Sequence, residues 1–282
     1  MSSQDNLTPG AALYVALLCT MFGANAVAIK YTLTGLGPFS AAALRFSLGA
    51  AAIAAWAHWR GLPFAIAAPD RRPIFIMALL FAFQVNLFYL GMSRTFASRA
   101  ALIINLVPFL VLIMAHFWIP GDRLSLRKVF GILLGFGGVA LLIGDRSALT
   151  NDLRSGDLIV VSATLLWSAL AVYTKKVIHR FEPFQIVLYQ ILAALLVFTA
   201  GALWFENGIA RSFNLSIAAA ILYQSLAVTA FGFVAWNTLL GRVGAGALHS
   251  FIFIMPLAGV LFSSLLLSEP ITPHLMGAAL LI

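Results

Sequence analysis

The sequence predicts an all-α integral membrane protein of ten transmembrane helices, built as two inverted five-helix repeats. Three observations predict it. Of 282 residues, 62% are hydrophobic and only 9% charged, against roughly 25% charged in ordinary soluble domains. Apolar runs near the ~20 residues needed to cross a bilayer recur along the whole chain. The stretch FGANAVAIKYTLTGLGPF at 22–39 returns as WSALAVYTKKVIHRFEPF at 167–184; an offset of 145 puts Lys30 on Lys175, Pro38 on Pro183 and Phe39 on Phe184.

The apolar runs lie near 11–31, 39–58, 73–92, 98–118, 127–143, 157–177, 184–204, 216–237, 245–267 and from 274 onward. Between them stand GLGP (35–38), APDRRP (68–73), PGDRLSLRK (120–128), GDRSALTNDLRSGD (144–157) and SEPITP (268–273), which read as short loops. Continuous long runs favour helices over barrel strands, which alternate over about ten residues. Residues 274–282 would rise only ~14 Å, so the given chain is expected to stop inside its tenth helix. MSSQDNLTPG has no basic region or cleavage pattern, and the first run is expected to stay as an uncleaved anchor.

The net charge of +8 does not point to nucleic acid. The 17 Lys and Arg sit mostly in short connections, without a basic helix face, so the expected surroundings are a lipid bilayer. With the N-terminus inside, Arg60, Arg71, Arg72, Arg123, Arg127, Lys128, Lys175, Lys176, Arg180 and Arg242 are cytoplasmic. The opposite side receives Lys30, Arg94, Arg99, Arg146, Arg154 and Arg211, while Arg45 falls within the second run. Ten against six favours a cytoplasmic N-terminus. Cys19 is the only cysteine, which excludes an intramolecular disulfide and a Cys-based metal site; no cofactor is expected.

The duplication continues beyond the opening pair. An offset of 148 puts Arg94 on Arg242, Ala97 on Ala245, Ile104 on Ile252 and Pro108 on Pro256. Residues 1–145 and 146–282 then form two repeats of five spans each. Five is odd, so the second repeat enters the membrane from the opposite side. Inverted repeats exchange conformations about a site at their interface.

Polar groups at membrane depth are costly unless partnered, solvated or used. They therefore mark a candidate path for a small molecule: Asn25, Gln84, Asn86, Asn105, Tyr223 and Gln224 near span centres, with Tyr89, Tyr173, Asn237 and His249 further out. Trp167, Phe253 and Trp236 are candidate apolar walls. Each polar residue also has a plainer role as hydrogen-bonding glue between helices. Pro108 and Pro256 each remove a backbone donor inside a span and read as hinges or static kinks. Lys30 and Lys175, at span ends, suit snorkelling or carbonyl capping. All nine carboxylates fall in the tail, loops or span ends, which disfavours tight coupling to protons or sodium through a midplane acid. No HExxH, GxSxG or Walker A pattern occurs, so neither an enzyme nor an ATP-driven pump is supported.

FGANAVAIK with GPFSAAALRF, the block LIINLVPFLVLIMAHFWIPGDRLSLRKVFGILLGFGGVALL, and the second-half WSALAVYTKK and MPLAGVLFSSLLLSEPIT…MGAALL resemble the EamA-type branch of the drug/metabolite transporter superfamily, and within it bacterial amino-acid exporters. The resemblance covers nearly the whole chain. It implies a ten-helix basket around a central cavity lined by helices 1, 3, 4, 6, 8 and 9, alternating access, and both termini in the cytoplasm. Members usually carry an acidic residue after the fourth and ninth helices; this chain departs from that pattern, with Gly121-Asp122-Arg123 after the fourth and glutamate retained only at Glu269, and an effect on helix termini is expected. The expectation is a monomeric exporter of small metabolites in the bacterial cytoplasmic (inner) membrane, its substrates amino acids including aromatic ones. A nucleotide-sugar or phosphate-ester carrier is the alternative, and it needs cations at cavity depth, where only Arg45 is mid-span. A membrane partner or enzyme subunit with no transport of its own is the other.

Overall fold

The computed structural model describes residues 9–118, 126–144, 151–206, 212–242, 251–252 and 254–281. Helices cover the apolar runs: α1 Pro9–Thr32, α2 Pro38–Trp59, α3 Arg71–Arg94, α4 Ala97–Ile104, α5 Val107–Trp118, α6 Leu126–Gly144, α7 Asn151–Val177 and α8 Pro183–Phe205. There follow α9 Leu215–Leu222, a π-helical segment Tyr223–Phe233, α10 Val234–Arg242, α11 Ile254–Leu267 and α12 Pro273–Leu281. No β-strand forms among the described residues. Seven helical stretches are long and apolar enough to cross a membrane, and Val129–Leu141 and Ile254–Leu267 are shorter apolar helices.

Local chemistry explains the helix starts. Pro38 and Pro183 each stand in a first turn, where the missing N–H would have no partner anyway. Asn214 caps α9, its side chain accepting from Ile217 N at 2.8 Å. Buried hydroxyls return to carbonyls four residues back, as Thr164 does to Val160 and Ser168 to Thr164. That keeps them satisfied where no water is available.

The packing interleaves the two halves. α3 lies against α7 and α8, α2 against α8 and the π segment, α1 against α11 and the π segment, α4 against α11, α5 against α7, and α6 against α12. Within the core, the Phe46 ring on α2 stacks on Phe198 of α8 at 5.4 Å and meets Phe81 of α3 edge-on at 5.6 Å. Close approach needs glycine, as two contacts show. A Cβ on Gly23 of α1 would stand 2.5 Å from Met255 O and 2.7 Å from Ala258 Cβ of α11; one on Gly91 of α3 would stand 2.6 Å from Val160 Cγ2 of α7.

The fourth apolar run is a broken helix. α4 closes with tight turns from Asn105 N to Leu102 O and from Leu106 N to Ile103 O, and α5 restarts with Pro108 as its second residue. Ahead of α11, Ile254 N bonds Phe251 O and Met255 N bonds Ile252 O, and Pro256 follows as the third helical residue. The bonds Leu106–Ile103 and Ile254–Phe251 are the same bond at an offset of 148. The two prolines thus stand in the first turn of a helix rather than mid-helix. Proline fits there because that turn's N–H groups lack intrahelical acceptors.

Candidate functional site

At the α1 C-terminal end, polar and charged groups tie the halves together. Lys30 Nζ donates to Met92 O at 2.9 Å and also to Thr95 O, capping α3. Asp157 accepts from Thr95 Oγ1 at 2.6 Å and from Arg99 Nε and Nη2 at 3.0 and 2.5 Å. Sequence reasoning placed Asp157 at a loop end. The structure extends α7 back to Asn151, so Asp157 lies on its second turn, fully buried. Glu269 accepts from Ala97 N and Ser98 N at 2.8 and 2.9 Å, capping α4. Glu206 does the same for α2, accepting from Phe39 N at 2.6 Å and Ser40 N at 3.1 Å.

Deeper lies a second network, free of carboxylates. Tyr89 Oη on α3 donates to Gln224 Oε1 on the π segment at 3.1 Å and accepts from Arg45 Nη1 on α2 at 3.2 Å. Gln224 Nε2 donates to Thr32 Oγ1 at 2.7 Å and to Ala28 O at 3.2 Å, which brings in α1. Arg45 Nε donates to Thr229 Oγ1 at 3.0 Å. Four segments meet here, and the π-helical winding presents both Gln224 and Thr229 to it. π turns are often found at functional sites.

Of the residues expected on a path, Tyr89 and Gln224 are therefore brought into direct contact. Tyr223 donates to Met21 O of α1 at 2.7 Å. Asn25 is half-buried on α1, and its Oδ1 is buried without a hydrogen bond. Asn86 Oδ1 on α3 is in the same state, its Nδ2 donating to Ala82 O at 2.7 Å. Gln84 is buried on α3. Asn105 sits at the α4–α5 break and donates to Ala101 O of its own helix at 2.6 Å. Tyr173 packs half-buried against the core, and Trp167 is 36% exposed on α7. His249 and Phe253 lie outside the described residues. Sequence reasoning noted Arg45 as a mid-span cation without placing it on the path, and it did not single out Thr32 and Thr229.

Among the described residues no group of three or more His, Cys, Asp and Glu is placed to hold a metal. What the deep network offers is hydrogen-bond donors and acceptors, a cation and aromatic faces: the means to hold a small polar molecule non-covalently.

Comparison with known proteins agrees. The EamA-like transporter family matches residues 9–144 and 154–282. The chain is 27% identical to the uncharacterized transporter YvbV of Bacillus subtilis (strain 168), covering 96% of this chain and 88% of that one. It is 24% identical, over 94% of this chain and 90% of the other, to a probable amino-acid metabolite efflux pump of Escherichia coli (strain K12). A crystal structure superposes with a TM-score of 0.71 over 97% of this chain and 94% of the other; at 19% identity this speaks for a common fold alone. With relatives named as transporters, the expectation of a non-transporting partner or enzyme subunit falls away. By two successive family matches that together span most of its length, the chain belongs to the EamA-like transporter family, a family of multi-pass membrane transporters.

Proposed function

We propose that the protein exports amino acids and related small metabolites, aromatic ones included, across the cytoplasmic membrane by alternating access. The observation that supports this most is the Arg45–Tyr89–Gln224–Thr32 network, which converges from both halves at membrane depth. Relatives named as probable amino-acid metabolite efflux pumps point the same way. The path is formed by Asn25, Gln84, Tyr89, Asn105, Trp167, Tyr173, Tyr223, Gln224, His249 and Phe253, and Pro108 and Pro256 are its hinges. Residues 1–145 and 146–282 are inverted five-span repeats, the N-terminus faces the cytoplasm, and the working unit is a monomer.

The packing supports a twofold relation of the two halves because its contacts exchange under the repeat. If α7 takes the place of α1, α8 of α2 and the π segment of α3, then α3–α8 answers α2–π and α3–α7 answers α1–π. Likewise α1–α11 answers the contact of α7 with α4 and α5, while α2–α8 and α6–α12 answer themselves. A twofold axis produces such a pattern, and an odd number of spans in each half sets that axis in the membrane plane.

The test is flux of labelled amino acids by the purified protein in liposomes, with a nucleotide sugar in parallel. Saturable, protein-dependent movement of aromatic amino acids is expected. Movement of the nucleotide sugar alone rejects the amino-acid assignment.

A further inference from the structure

Two arginines are buried in the bundle, each 3% exposed, and they are held differently. Arg99 has the Asp157 carboxylate. Arg45 has no carboxylate within ion-pair distance among the described residues. Its acceptors are the neutral hydroxyls of Thr229 and Tyr89, and its guanidinium carbon stands 4.8 Å and 5.8 Å from the ring centres of Phe46 and Phe233. Hydroxyls and ring faces solvate a cation without cancelling its charge, which is costly at membrane depth until an anion is supplied. A guanidinium has five N–H donors in a planar fork that suits a carboxylate. Of these, the Nη2 pair has no acceptor among the described residues.

The opposite need stands one turn away. Asn25 Oδ1 and Asn86 Oδ1 are buried acceptors that receive nothing. Asn25 precedes Ala28, whose carbonyl belongs to the network, by three residues, and Asn86 precedes Tyr89 by three. That is ~4.5 Å along each helix, on the same side of it. α1 and α3 run parallel, because Lys30 near the end of α1 caps the end of α3. Both open acceptors therefore lie beyond Arg45's network in the same direction.

We infer that this is a zwitterion site: Arg45 takes the carboxylate of an α-amino acid, and the side-chain oxygens of Asn25 and Asn86 take its ammonium. The inference rests on the amino-acid reading of the previous section and names the groups that would carry it. At 3% exposure Arg45 is reached only when the surrounding helices part during the transport cycle.

The experiment compares three ligands in proteoliposomes: phenylalanine, phenethylamine, which lacks the carboxylate, and 3-phenylpropionate, which lacks the ammonium. In Arg45→Gln the flux ratio of phenylalanine to phenethylamine is expected to fall about 10- to 100-fold, the size of a lost charge-assisted hydrogen bond. Arg45→Lys keeps the charge but not the fork and should fall between; it decides the matter if the glutamine variant does not yield monodisperse protein. The double variant Asn25→Leu/Asn86→Leu should lower the ratio of phenylalanine to 3-phenylpropionate instead. Unchanged ratios, or equal loss of all three fluxes, overturn the site and leave Arg45 a packing residue. If the wild type moves none of the three, the amino-acid reading fails by itself. Arg45 is then judged by thermal stabilisation of the purified protein: benzoate stabilising the wild type more than Arg45→Gln sustains an anion site, and equal shifts overturn it.

Discussion

Glu269 caps a helix that starts far back in the chain: its carboxylate accepts from Ser98 N at 2.9 Å and Ser98 Oγ at 2.7 Å, across a sequence separation of 171 residues. The free N–H groups of a helix start attract negative charge, and in a bilayer they have little water to turn to. Glu206 repeats the device on α2 through Phe39 and Ser40. In both cases a second-half carboxylate holds a first-half helix. The acidic residue retained after the ninth span thus bears on a helix terminus, as expected for Glu269; Asp122 lies outside the described residues.

Replacing Glu269 by Ala should destabilise the protein by ~2–3 kcal/mol, and Glu206→Ala by ~1 kcal/mol. The difference follows from burial, since Glu269 is buried and Glu206 only half-buried. Thermal unfolding in detergent measures both. Equal losses would show that burial does not set the strength of these caps.

Asp157→Asn should cost ~3–5 kcal/mol, because it removes the Asp157 charge from the buried Arg99. Arg99→Met should cost a similar amount for the mirror-image reason. The double variant Asp157→Leu/Arg99→Met is expected to recover part of the loss, since two apolar groups leave no charge to solvate. A strictly additive double variant would contradict this account of the pair.

Gly23→Val should disrupt the seat of α1 on α11, because even a Cβ there stands 2.5 Å from the Met255 carbonyl oxygen. Backbone cannot yield as a side-chain tip can, and a loss of ~2–3 kcal/mol is expected for the overpacked contact. Yield of monodisperse protein and unfolding temperature report it. Wild-type values would mean that α1 and α11 separate more readily than the packing implies.

Pro108→Ala and Pro256→Ala test the hinge. Each restores an amide in the first turn of a helix, so the turns at Leu106 and Ile254 lose their reason to form. Flux is expected to fall about tenfold, equivalent to ~1.4 kcal/mol on the opening step. Reporter cysteines at the two ends, on a Cys19→Ser background, should shift in accessibility together. Wild-type flux and accessibility in both variants would leave the prolines as static breaks.

Composition and hydrophobic runs determined the class of this protein and the course of its helices, because both depend on residues near in sequence. The expected runs at 11–31 and 39–58 became α1 at Pro9–Thr32 and α2 at Pro38–Trp59. The matching prolines, expected inside spans, stand instead in the first turns of α5 and α11, where a missing N–H costs little. What the polar residues do was settled by tertiary structure. Asn105, Asn25 and Gln224 look alike as amides in apolar runs. Yet Asn105 bonds its own helix, Asn25 keeps an unfilled oxygen, and Gln224 joins Tyr89 from 135 residues away. Arg45 and Thr229 meet across a separation of 184. Such meetings depend on how each helix is rotated and how closely its neighbours approach. Those are set by long-range packing such as Gly23 on α11 and Phe46 on Phe198, and no local pattern encodes them.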